Sequence, residues 1–508
     1  MSINEYDVVV VGSGVAGLSF AIRLAEEKPN CKISILSKGK LDLTNTSFAQ
    51  GGIAAVVDQQ NDSFVNHIED TLKSGGGLSS PSIVQLVVEK APACIEDLIN
   101  YGVAFTRKEN GELDLALEGG HSLPRVVHVF DKTGHYVQAA LLKKAHSLLN
   151  ITFYENRFAI ELLNGLDNTI GGLSAFYEKE NKIEIFHAKS IVLATGGSGQ
   201  VYLQTTNPLV ATGDGIAMGS KVGAKISHLG FVQFHPTALY EEGMPRLELI
   251  TEAIRGFGAY IVNKKGKRFI AETDERGELA TRDVVSKSIF KELERSKETH
   301  VYLDCRHLNH KELEEKFPHV IKQLENKGFS LSKDLIPIVP GAHYQCGGLV
   351  VNEKGQTNLK GLYAIGECAN TGLHGANRLA SNALLEGLVF GRKVAECISE
   401  NIDEMPQVRP QLYAIYQIDF TYDVEFVNTI YEVKTIMSKY VTIASDYTQL
   451  MKAKQKLKTI TQRLRPFFER RIVSASALTA QNLLILSEQI ILDKLNQLNL
   501  SIDNVQGY

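Results

Sequence analysis

The chain lacks a strong charge of one sign: 54 basic side chains stand against 58 acidic ones in 508 residues, a formal net charge of -4. That balance excludes a global basic field for holding nucleic acid. It also lacks close cysteine pairs. Cys31, Cys94, Cys305, Cys346, Cys368 and Cys397 stand singly, without the spacing of a zinc or iron–sulfur framework, and read as buried structural thiols in a reducing compartment. No uninterrupted apolar run reaches the roughly twenty residues of a membrane span. The opening MSINEYDVVVV enters a strand with no basic segment, apolar helix and cleavage site. These absences predict a soluble cytoplasmic protein with no metal, no nucleic-acid partner and no membrane span. Glycine is not scarce, but its 42 copies barely exceed the roughly 36 expected at average use, so their placement matters more than their number. At roughly 100 to 200 residues per domain, the length predicts about three domains.

Residues 6–11 include four consecutive valines, too short a run for a helix, and read as a central parallel strand. GSGVAG at 12–17 then opens a helix over 15–27, and CKISILSK supplies a second strand. A glycine turn between strand and helix is the context in which the dinucleotide fingerprint has physical meaning. Gly12 and Gly14 allow a tight turn close to a pyrophosphate, Gly17 lets helix pack on strand, and the helix N-terminus offers unpaired N–H groups. The acidic residue that would hold an NAD ribose is missing, with Ser37 and Lys38 in its place. Asp214 in TGDG and Glu367 in IGECA follow later glycine turns and suit an extended flavin dinucleotide better.

Helices are expected at 81–101, 134–149 and 381–398, and one starts near Gly213. Strands are expected at ITFYEN, FAIELL, SIVLATGG and GLYAIG, with a hairpin at 165–182. Residues 231–343 change character, with charged loops and a Lys/Glu-rich helix at 287–298, and read as an insertion. The expected division is 1–230 and 344–404 for one nucleotide-binding domain, 231–343 for the insertion and 405–508 for a helical domain. That last domain follows a linker at 405–410 and carries helices at 423–442, 445–463 and 472–497.

The segments GSGVAG, SFAQGGIAAV, LATGG, TGDGIAM, QFHPTAL, TEAIRGFGAY, DERGELATRDVV, HYQCGG, AIGECA and GLHGANRLASNALLE occur in that order. Together they resemble the flavoprotein subunit family of succinate dehydrogenase and fumarate reductase, and within it the branch that oxidises L-aspartate. The resemblance implies an α/β fold: a Rossmann-type FAD-binding domain, an inserted α+β capping domain and a C-terminal helical bundle. It places FAD against Gly12, Ser13, Gly14, Val15, Ala16, Gly17, Ser37, Lys38, Thr46, Gln50, Gly51, Gly52, Ala194, Thr195, Gly196, Asp214, Glu367, Ala383 and Leu384. LTNTSFAQGG lacks the histidine that carries covalent flavin in the membrane complexes, which implies noncovalent FAD.

For the substrate, guanidinium forks match carboxylates and stay charged. The resemblance assigns Arg378 to anchor a carboxylate and Arg282 to lie by the reacting carbon, as proton donor when fumarate is reduced. An arginine in that role is chemically unusual, since its pKa exceeds 12. His235 and His343 are implied to hold the carboxylates, more firmly if protonated, with Thr251 and Gln233 as neutral donors and Ser381 near the flavin. EGGHS implies that Glu118 faces the substrate ammonium, a charge that a dicarboxylate without an amine does not need. The implied reaction passes the Cα hydride to flavin N5 and forms iminoaspartate, with oxygen reoxidising the flavin to give hydrogen peroxide, or fumarate to give succinate. The product would feed quinolinate synthase in NAD biosynthesis. The alternatives are a soluble fumarate reductase or succinate-oxidising flavoprotein, and an inactive flavin-binding subunit. Phe257 and Thr281 depart from the family's usual glutamate and proline, and the C-terminal helices also diverge.

Overall fold

The computed structural model describes residues 2–165, 169–409 and 415–506, so Pro410 of the expected linker lies outside the described residues. Five strands form one parallel sheet in the order Leu362–Ala364, Ser190–Leu193, Val8–Val11, Ile33–Leu36, Ile151–Tyr154. All four side chains of Val8–Val11 are buried, as a central parallel strand covered on both faces requires. Alternation sends Val9 and Val11 into one apolar core and Val8 and Val10 into another. The helix Val15–Glu27 follows directly and packs its small residues against the helix Asn382–Asn401.

The insertion grows from two long antiparallel strands, Val232–Leu239 and Ile336–Gln345, which with Val301–Asp304 and Tyr260–Val262 make a four-stranded sheet. It has an apolar core of its own, including Ile254, Ile261, Ile289, Leu303 and Ile338. Phe257 packs against that core, its ring 6.3 Å edge-on from Phe317. The glutamate missing there is thus replaced by apolar packing. Pairing between the two long strands breaks twice: His343 falls in one irregularity and His235 borders the other, which contains Pro236. Such breaks turn side chains away from the regular pleat, here toward the boundary between insertion and sheet.

The C-terminal helices Asp423–Tyr440, Tyr447–Glu469 and Ala475–Gln506 have no such independence. Phe426, Val433, Leu457, Leu486 and Ile490 share one core with Val9, Val11 and Leu193 of the parallel sheet. Residues 475–498 are long and apolar enough to cross a membrane by length and composition, but this stretch packs against the two preceding helices and against Asp214–Lys221. The expected hairpin at 165–182 belongs to a larger sheet, in which Ser2–Glu5 pairs in parallel with Lys182–His187 beside Ile170–Tyr177 and Arg157–Asn164. The tight turn lies at 178–181, with Asn181 in the left-handed region at φ 49°.

Candidate functional site

The parallel strands end together, and the residues that leave them open one cleft: Gly12, Ser37, Ala194 and Ile365. Ligands of open α/β sheets bind at this edge. One continuous cleft runs from Gly12, Ser37 and Lys38 at the strand ends to Arg282, Arg378 and His343. Its walls fit FAD. Gly12 sits at φ 118°, and a Cβ there would lie 2.0 Å from the Ala194 carbonyl oxygen, so only glycine lets this turn pack against the end of the neighbouring strand. The helix beginning at Val15 has Gly14 as its cap, with no side-chain bond from that residue and no acidic group in its first turn; the Val15 N–H donates to the Thr46 hydroxyl at 3.0 Å, and the rest of this N-terminus faces the cleft where a phosphate fits. The carbonyl oxygens of Asn45 and Gln50 are buried without partners on the same wall.

Of the nineteen residues expected to touch the cofactor, Gly17 alone does not line the cleft. It lies where a Cβ would meet the Gly12 carbonyl oxygen at 2.2 Å, so it packs the helix onto its own turn. Lys38 stands where an NAD enzyme would carry an acid. Its ammonium lies 3.1 Å from Asp214 and 3.9 Å over the Phe158 ring, and burial lowers its pKa. Asp214 also accepts a bond of 2.9 Å from Asn482 of the last helix. Glu367 accepts from Asn45 and from the Gln345 backbone N–H, each at 2.9 Å, yet burial raises its carboxyl to about 7.

Further along the cleft the walls become charged. Arg282, Arg378, His235, His343, Thr251, Glu118 and Ser381 all line it. Arg378 is buried, its Nε has no partner, and its guanidinium carbon lies 4.6 Å from the centre of the Tyr344 ring. Burial and the neighbouring Arg282 lower its pKa to about 10, so it remains a cation in need of an anion. His235 and His343 lie 5.2 Å apart, and burial together with the surrounding arginines pushes both well below the ordinary histidine range. Both are therefore neutral in the unliganded site. The His235 Nδ1 accepts from the Thr237 backbone N–H at 3.3 Å, which leaves Nε2–H as the donor. The Ser381 hydroxyl, on a residue at φ 61°, donates to Glu118 at 2.6 Å.

Gln233 requires a correction. Its amide nitrogen donates to Asn377 at 2.7 Å and to the Arg378 carbonyl at 2.8 Å, and its oxygen accepts from Arg378 at 2.9 Å and Arg282 at 3.2 Å. With its amide fully engaged and outside the cleft lining, it ties the two arginines together and has no donor left for a ligand. The sequence reading passed over Glu252 and Arg255. Glu252 lies 2.5 Å from Arg282 and 2.9 Å from Arg255; burial raises its carboxyl pKa, but the arginines outweigh that and hold it at about 2. The signal was present in TEAIRG, where a spacing of three places an acid and a base on one helical face. Among the described residues no group of three or more His, Cys, Asp or Glu side chains could hold a metal ion.

Residues 7–384 match the FAD binding domain family. The chain is similar over its whole fold to E. coli quinol fumarate reductase, with 29% identity and a TM-score of 0.84, covering 98% of this chain and 89% of that one. It is also 40% identical to an L-aspartate oxidase of Acinetobacter baylyi over 96% of this chain and 91% of the relative. An L-aspartate oxidase of Yersinia pestis gives the same identity, over 96% and 92%. Identity at that level, sustained from the glycine turn through the C-terminal helices, means that this chain belongs to the L-aspartate oxidases, within the FAD-binding flavoprotein family.

Proposed function

We propose that this chain oxidises L-aspartate to iminoaspartate. The observation that carries the reading is Glu118, a carboxylate on the cleft wall that is hydrogen-bonded to Ser381 and, unlike Glu252, is not ion-paired with an arginine. Arg282 and Arg378 supply two fixed positive charges for the two carboxylates, while Glu118 gives the ammonium group a partner. At an effective dielectric of about 20, a charge pair 4 Å apart is worth roughly 4 kcal/mol, so one misplaced charge outweighs ordinary shape differences among four-carbon acids. Arg282 spends Nε on Glu252 and Nη1 on Gln233, which leaves Nη2 for the ligand. His235 contributes one N–H, and Thr251, whose hydroxyl makes no cap bond to its helix, a second neutral donor.

When bound, FAD supplies the two-electron acceptor for the Cα hydride and passes the electrons to oxygen or fumarate. Thr44, Asn45 and Thr46 bring amide and hydroxyl groups, and no histidine, to the wall ahead of Gln50, and this supports noncovalent retention. Fumarate carries the same two carboxylates as aspartate and uses the same arginines. The capping region, joined through the broken ladder at His235 and His343, closes over the ligand and excludes water. Iminoaspartate then serves quinolinate synthesis in NAD biosynthesis.

The direct test mixes the FAD-reconstituted protein anaerobically with L-aspartate, D-aspartate or succinate in a stopped-flow spectrometer. Selective bleaching of the oxidised flavin band by L-aspartate is expected. Bleaching by succinate alone would replace the proposal with a succinate-oxidising or fumarate-reducing enzyme.

A further inference from the structure

Glu118 is followed by Gly119 and Gly120, so the loop that carries it has little stiffness of its own. Its anchor lies a few residues on. Arg125 is completely buried, and all five of its N–H donors are used: Nε donates to Asp62 at 2.7 Å, Nη1 to Asp70 at 2.6 Å and to His121 Nδ1 at 2.9 Å, Nη2 to Asp62 at 3.1 Å and to Ser122 Oγ at 3.3 Å. Asp70 also accepts the backbone N–H and the hydroxyl of Ser122, each at 2.8 Å. The helix Phe64–Ser74 and the residue just ahead of its cap hold both acids in place.

A guanidinium can donate only to an unprotonated ring nitrogen, so His121 carries its proton on Nε2. That N–H donates to the Ala380 carbonyl at 2.9 Å. The next residue is Ser381, whose hydroxyl donates to Glu118 at 2.6 Å, and the His121 backbone N–H returns to the Glu118 carbonyl at 3.2 Å. Contacts thus run in a closed circuit from Arg125 through His121 and the start of the helix Asn382–Asn401 to Glu118, and back along the chain. A buried ion network of this kind contributes little net stability compared with apolar packing of the same volume. Its distinctive property is a fixed geometry, and that geometry ends at the carboxylate of Glu118.

We infer that Arg125, with Asp62, Asp70 and His121, is a positioning device for Glu118 that sets how strongly the site selects a substrate carrying an ammonium group. The inference rests on the reading of Glu118 given above. None of the four residues lines the cleft, so they act through Glu118 and not on the ligand.

The test compares kcat/KM for L-aspartate oxidation with kcat/KM for fumarate reduction by reduced benzyl viologen, on FAD-loaded protein whose flavin absorbance per chain reports folding. Because Arg125 substitutions risk the fold, Asp70→Asn and His121→Leu are the primary variants. Each is expected to lower the aspartate-to-fumarate ratio about tenfold, and His121→Gln, which keeps both a donor and an acceptor, to recover most of it. In a Glu118→Gln background, Asp70→Asn is expected to change the ratio no further. Equal losses for both substrates, or an Asp70→Asn effect that persists in the Glu118→Gln background, would overturn the positioning role. A Glu118→Gln ratio equal to that of the parent would instead overturn the reading of Glu118 itself.

Discussion

Where the parallel strands end, the cleft is walled by Gly12, Gly14, Ala194 and Gly366; further along it is walled by Arg282, Arg378, His235 and His343. At Gly12 and Gly366 of the first set an added Cβ would lie 2.0 Å from the Ala194 carbonyl oxygen and 2.9 Å from the Ala16 Cβ, so this end fails if an atom is added. The second brings charge, and fails if a charge is removed. The difference follows from the ligands: a long dinucleotide is held by many weak contacts and helix-end dipoles, whereas a four-carbon acid offers only a few strong ones. It also follows from packing. The flavin end sits on strands shared by two large apolar cores, one of which includes the C-terminal helices, while the charged end straddles the junction with a capping region that has a separate core.

The sharpest way to separate the two ends is Arg378→Gln. Truncating one partner of a buried charge-assisted contact costs about 2 to 5 kcal/mol, so kcat/KM for L-aspartate is expected to fall by about 30- to 5,000-fold. Steady-state kinetics alongside flavin absorbance would check it: the loss should fall on turnover, with FAD still bound. Gly12→Ala inverts the experiment. A Cβ 2.0 Å from the Ala194 carbonyl oxygen, on a residue at φ 118°, adds strain of about 1 to 3 kcal/mol or more, and FAD affinity measured by fluorescence titration is expected to weaken about 5- to 150-fold. Unchanged FAD affinity in this variant would mean that the strain is relieved without moving the residues that hold the cofactor.

The same contrast decides what can be read without a structure. A close backbone approach needs glycine, so the flavin end is written in GSGVAG, AQGG and LATGG, and the residues chosen from those segments line the cleft, Gly17 excepted. The C-terminal end of the valine strand and the start of the helix 15–27 were visible for the same reason. Ion-pair partners leave no such mark. Glu252 meets Arg282 thirty residues away, Gln233 bridges Arg282 and Arg378 from another strand, and Arg125 finds Asp70 on a separate helix and Asp62 just ahead of it. Phe257 shows the opposite error. Counted as a lost charge in sequence, it is an apolar side chain packed on the capping core. The strand Ser2–Glu5 was missed because its partner, Lys182–His187, is distant in the chain and no local pattern announces the pairing.

A smaller effect tests Glu367, which unlike Asp214 has no cation paired with it at the flavin end. Burial raises Glu367 to about 7, while in the unfolded chain it titrates near 4.5. Between those values the folded protein holds a proton that the unfolded chain releases, so the contribution of this residue is fully present below pH 4.5 and is lost as pH rises toward 7. In FAD-free protein, Glu367→Gln is therefore expected to melt at nearly the parent temperature at pH 4.5, to become the more stable of the two by a few degrees as pH approaches 7, and to keep a constant lead above that. His235 and His343, held neutral by burial, act in the opposite direction by favouring the folded state less as pH falls through 6.5. Both proteins share them, so the difference between the two melting curves isolates Glu367. A lead that instead shrank from pH 4.5 to 7 would mean that the carboxylate is stabilised by its two donors, Asn45 and the Gln345 N–H, more than it is penalised by burial, and the flavin end would then also depend on a fixed charge.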